Sequence, residues 1–128
     1  MLFSQVRRDM VFARWPIGTH PDHQTSRVLT SWPWLAGGRS FDLFFYEAYL
    51  GEQAMGVSST DYVDFTRVRE KKRAALFAHR NWDGERAYSS RSEVIENFRD
   101  REAGTAAAKA FVGLAYGERN CVLPRFRR

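Results

Sequence analysis

Apolar residues recur along this chain in short bursts, and their spacing separates strands from helices. Residues 9–15, DMVFARW, hold a short, partly β-branched apolar run that predicts a buried strand. His20 then precedes Pro21, and proline suits the first position of a helix, so His20 is expected near the N-cap and His23 in the first turn. This helix is predicted to run through Arg27, Val28 and Leu29 and to stop before Pro33, because the residue preceding a proline disfavours helical geometry. GGRS, residues 37–40, reads as a turn, and FDLFFYEAY, residues 41–49, as a central strand apolar on both faces. The shorter, alternating DYVDF, residues 61–65, predicts another strand. Asp64 or Thr66 can cap a helix over residues 67–79, where polar REKKR gives way to apolar AALFA. Ser90 and Glu93 form a capping-box pattern ahead of a last helical stretch over residues 94–116, where Ala107, Ala110, Phe111, Leu114 and Ala115 fall at helical spacing. Gly104 is a point where that helix can kink or divide.

Strands alternating with helices indicate an α/β layered fold with a mainly parallel sheet. Three evident strands are few for such a sheet, and the first begins a few residues from Met1. The chain therefore reads as the second half of a larger domain. Its 128 residues suit one unit, and residues 118–128 add a basic tail. The ten Phe, five Tyr and four Trp exclude a disordered chain. No internal repeat or low-complexity tract is present.

A net charge of +5 raises nucleic acid as a partner. The basic residues are dispersed among Asp and Glu, however, apart from REKKR at residues 69–73 and the terminal PRFRR, so specific nucleic-acid binding is not expected. The single cysteine, Cys121, excludes an intrachain disulfide framework and a thiolate zinc cage. Nothing pairs it with a base, so it is assigned no nucleophilic role. No apolar run approaches the ~20 residues of a membrane span, and residues 1–10 lack the apolar core of a signal peptide. A reducing, cytoplasmic location follows by default.

The chemistry concentrates at THPDH. Residues three apart on a helix share a face, so His20 and His23 can point into one site, and neutral imidazole at the mouth of a sheet suits zinc. Zinc takes three or four protein ligands, so the pair alone leaves a surface or capping role open.

The neighbouring segments extend the pattern. WPIGTHPDH, FDLFFYEAYLGEQ, YVDFT, KKRAALFAH and ENFRDREAGTAAAKAF, in that order, resemble the C-terminal half of the PIG-L (LmbE-like) family of zinc-dependent N-deacetylases, from about Val6 to Val112. The resemblance implies the C-terminal portion of a Rossmann-like three-layer αβα fold with zinc near the carboxyl ends of parallel strands. It implies that His23 is a zinc ligand. It also implies that His20 stabilises the tetrahedral intermediate and helps the amine depart. Asp22 is expected to orient an imidazole or to cap the helix, the structural role being favoured. Tyr46 and Glu47, at the end of the apolar strand, are candidates for contact with a metal ligand or with substrate, with a buried, satisfied tyrosine an equal alternative.

The family's first motif, His-Pro-Asp-Asp-Glu or a close variant, supplies two further ligands and the general base; it is absent from these 128 residues. Gly18 stands where the subgroup commonly has an acidic residue. Two functional expectations follow. One is a zinc-dependent N-deacetylase acting on an N-acetylated amino sugar or related amide, with Zn2+ weakly held or absent and little activity in this chain alone. The other is a non-catalytic binding or assembly module that pairs through an exposed sheet edge, as a homo-oligomer or with a complementing chain. His79 is expected to be a favourable charge at a helix C-terminus, and Trp15, Trp32 and Trp34 to be core.

Overall fold

The computed structural model describes residues 9–18, 20–47 and 56–114. The expectations for residues 48 and 49 at the end of the strand, for Ala115 and residue 116 at the end of the last helix, for Cys121 and for the 118–128 tail lie outside these residues.

The chain forms β1 (Met10–Arg14), α1 (Pro21–Ala36), β2 (Asp42–Tyr46), β3 (Asp61–Asp64), α2 (Arg69–Phe77), a single turn α3 (Gly84–Ala87), α4 (Glu93–Ala103) and β4 (Ala108–Gly113). A 3-10 turn, Thr66–Val68, leads into α2, and a π-type turn, Tyr88–Ser92, joins α3 to α4. The protein is thus a mixed α/β unit. Among the described residues, no helix is long and apolar enough to cross a membrane.

The sheet order is β1-β2-β4-β3. β1 and β2 pair in parallel, Val11 opposite Leu43 and Ala13 opposite Phe45. β4 runs antiparallel to both β2 and β3, so the sheet is mixed rather than mainly parallel as expected. The cause lies at Gly104. There α4 ends in a left-handed residue (φ 69°), and the Gly104 amide donates to the Asp100 carbonyl at 2.7 Å. The Asp100 carboxylate accepts the Ala108 amide at 2.7 Å, and the Ala107 carbonyl takes the Phe65 amide at 2.9 Å. The chain therefore re-enters the sheet at the carboxyl end of β3 and has only the antiparallel direction open.

That turn also corrects the long helix expected over residues 94–116. Alanine favours helices, but in AKAFVG the alanines at 108 and 110 are buried while Lys109 and Phe111 are less so, the period of a strand. The Ser90–Glu93 capping box does not form either. Ser90 lies inside the π-type turn and donates to the Arg86 carbonyl at 2.7 Å.

α1 continues through Pro33 to Ala36 instead of stopping before it. Pro33 removes the bond to the Leu29 carbonyl, but Leu29 is on the exposed side, where water can reach that group. Trp34 holds the last turn, its indole donating to the Phe41 carbonyl at 2.8 Å, and Gly38 and Arg39 reverse the chain with φ of 66° and 59°. Trp34, Phe41, Leu43, Phe45 and Ala13 form the core, with Trp15 and Val112 packed against it. Trp34 and Trp15 are core as expected; Trp32 is exposed.

Candidate functional site

Two groups of polar side chains gather at the end of the sheet where β1 and β2 finish. This is where open α/β sheets place their ligands.

The first group is built on the head of α1. His20 is its N-cap, in extended conformation (φ −92°, ψ 126°), and its Nδ1 accepts the Asp22 amide at 3.2 Å. With Nδ1 accepting, the proton of the neutral ring sits on Nε2. His23, one turn on, is buried at 5 % exposure, and its ring centre lies 5.1 Å from that of His20. The two imidazoles therefore share one site, as their spacing predicted. Asp22 is 87 % exposed, with a carboxylate oxygen 3.6 Å from His20 Nδ1. The cap expected of Asp22 is made by His20 instead; the Asp22 carboxylate lies in the first turn of α1 and makes no hydrogen bond to the accepting Nδ1.

Arg14, the last residue of β1, places a guanidinium nitrogen against His23 Nε2. A guanidinium only donates, so Nε2 accepts and the ring proton sits on Nδ1. Burial first, then the charges of Arg14 and His20, hold His23 below the ordinary imidazole value, with Asp22 pulling the other way. His23 is thus neutral, as a metal ligand must be, but Arg14 occupies the lone pair that a metal would use. Among the described residues no three His, Cys, Asp or Glu side chains converge. The donor set for zinc present here is partial: it contains a neutral imidazole and lacks the other ligands.

The second group lies behind β2. Glu47 is buried, and both its oxygens accept from Arg99 of α4, each at 2.8 Å. Arg99 also donates to Glu102, which accepts from the Tyr62 hydroxyl at 3.1 Å. These bonds hold the Arg99 guanidinium protonated well above its ordinary value, the hydrogen bonds to Glu47 first. Glu96, also buried, accepts from Lys72 and from the Tyr88 hydroxyl at 3.0 Å, with Arg69 Nε 3.4 Å away. Burial raises Tyr88, which keeps it a donor. Between these ion clusters is a cavity of about 550 Å³, lined by Arg14, Glu47, Lys72, Glu96 and Lys109 at its polar parts and by Leu76, Ala87 and Ile95 elsewhere. His79, just past the C-terminal end of α2, also lines it.

Of the predicted site residues, His20, His23 and Asp22 come together. Glu47 sits apart from them as the anchor of Arg99. Tyr46 lies beside Lys109, whose ammonium is 5.7 Å from its ring centre. Sequence reasoning missed Arg14, Arg99, Lys72, Glu96 and Lys109. A signal existed for two of them: Arg14 interrupts MVFARW and Lys109 interrupts AAAKAF, and a lone charge in an apolar run must find a partner when the run is buried.

Comparison with models of protein families, with curated proteins and with solved structures finds no match to this chain.

Proposed function

We propose that the chain carries the histidine half of a zinc-dependent N-deacetylase site, on a portion of a Rossmann-like fold. The observation that supports this most is the pair of adjacent imidazoles at the head of α1, one neutral with an accepting Nε2 and the other with its proton on Nε2. In this reading His23 is a metal ligand, and His20 holds a proton for the amine that leaves an N-acetylated, amino-sugar-like substrate. Zinc, when bound, supplies Lewis acidity toward an amide carbonyl and water. The remaining ligands and the base belong to residues other than those that meet here. The chain alone is accordingly expected to hold zinc weakly and to leave N-acetylglucosamine derivatives intact.

Titrating the metal-free chain with Zn2+ while following its imidazole resonances tests the reading. The His23 signals are expected to move, His23→Ala to abolish the response, and Arg14→Leu to strengthen binding by freeing Nε2. Zinc that leaves His23 unmoved sinks it.

A second reading, an assembly module, is favoured by one observation. Val28, Trp32 and Leu35, spaced i, i+4 and i+7 on α1, are each more than half exposed. A self-associated species that grows with concentration in size-exclusion chromatography, and is lost in Trp32→Glu, supports it; a concentration-independent monomer removes it.

A further inference from the structure

The cavity behind β2 has a chemistry that the paired imidazoles do not use. Its two carboxylates are already committed. Glu47 spends both oxygens on Arg99, and Glu96 divides its own between Lys72 and Tyr88, with Arg69 alongside. Arg14, Lys72, Arg91 and Lys109 reach the lining; Arg14 is set against His23 and Lys72 against Glu96, while Lys109 makes no bond to a carboxylate among the described residues. Lys109 projects from β4, its ammonium donates to the Glu47 carbonyl at 3.0 Å, and Tyr46 lies against it. An ammonium has three donors, and a carbonyl dipole does not balance a full charge. Leu76, Ala87 and Ile95 make the rest of the wall apolar. A volume of about 550 Å³ suits a small molecule, and a few fixed polar groups on an apolar wall are how such sites orient one.

We propose that this cavity binds a small organic anion, a carboxylate or phosphate carried on an apolar body. The ammonium of Lys109 holds its charged end, and Leu76, Ala87 and Ile95 lie against its body. Burial disfavours the charged form of Lys109, and Lys72 and Arg99 disfavour it further, while Glu47 and Glu96 work the other way. A ligand anion relieves that cost, so the protein's own charges select the sign of what enters. The acid group requires one charge and an apolar tail. Lysine, unlike arginine, does not impose a planar two-pronged match, so both acid types satisfy it.

Calorimetric titration of the full chain with phenyl phosphate, phenylacetate, benzyl alcohol and inorganic phosphate tests this, in chelator so that no metal contributes. At least one aromatic anion is expected to bind, at least tenfold tighter than neutral benzyl alcohol and than inorganic phosphate, which lacks the apolar body. The tighter of the two aromatic anions identifies the acid group. Lys109→Met and Ile95→Trp, checked for native circular dichroism, are each expected to weaken binding tenfold or more. In the unsubstituted chain, the bound anion is expected to protect Lys109 from reductive methylation, a readout that no folding defect can imitate. Benzyl alcohol binding as tightly as the anions, or Lys109 methylated equally fast with and without them, overturns the proposal. Because the measurement excludes metal, failure of the deacetylase reading leaves this result standing, and the reverse holds too.

Discussion

Beneath α1, Trp34, Phe41, Leu43 and Phe45 meet without a charge among them, and an indole-to-carbonyl bond from Trp34 to Phe41 fixes the contact. Beside β4 and β3 the sheet meets α4 through Arg99, Asp100 and Glu102, and Glu96 is buried against Lys72 and Tyr88, while Val94 and Phe98 of that helix face solvent. α4 buries its charges and exposes apolar residues, the reverse of an ordinary surface helix. The apolar half is stabilised in proportion to the area it removes from water. The ionic half is conditional: each charge is tolerable only while its partner is present. Single changes are costly in both halves, but only in the ionic half does removing the second partner restore the loss.

The contrast can be broken most sharply at Arg99. Arg99→Met leaves Glu47 buried and unpaired and is expected to cost about 3–5 kcal/mol by chemical denaturation. Adding Glu47→Met is expected to recover most of that loss. If the double variant is no more stable than the single, the pair is not the unit described here. Leu43→Ala in the apolar half is expected to cost about 2–5 kcal/mol, with no second substitution that restores it except one refilling the space. Gly84→Ala probes the seam between α2 and α3, where an added Cβ would stand 1.9 Å from the Leu76 carbonyl oxygen. A loss of about 1–3 kcal/mol is expected, and unchanged stability would mean the helices are not in that contact.

The smallest effect concerns pH. Burial holds His23 below its unfolded value of 6.5, so below that value the unfolded chain takes up a proton that the folded chain refuses. Stability contributed by neutral His23 is therefore complete above pH 6.5 and is lost as pH falls from there through the lower, folded value. A metal-free thermal scan from pH 7.5 down to 5 is expected to show this decline, and His23→Phe to flatten it. An unflattened profile would assign the decline elsewhere.

Much of the α1 half was legible from residues alone. His20–Pro21 marks a helix start because proline costs nothing at a position whose amide has no partner, and the histidine does cap it. The DYVDF strand was legible for the same local reason, but the cap expected at Asp64 or Thr66 is not made: α2 starts after Val68 without a side-chain cap, and the Asp64 carboxylate takes the Thr66 amide at 2.8 Å in the turn before it. The alanine-rich segment misled because alanine has no side chain with which to declare a period, and its direction was decided by Gly104 and Asp100. Pro33 misled because a helix can absorb the lost bond where water reaches the freed carbonyl and Trp34 anchors the turn beyond.

By itself the sequence determined that this chain combines strands with helices, where α1 begins, and that His20 and His23 share a face. Those depend on periodicity and capping, which act within a few residues. Only the tertiary structure decided that β4 enters antiparallel, that Arg14 meets the lone pair of His23, and that Glu47 and Arg99, 52 residues apart, close on each other. Pairings across such separations are fixed by how the elements pack and by the cost of leaving a buried charge alone, and no local pattern encodes either.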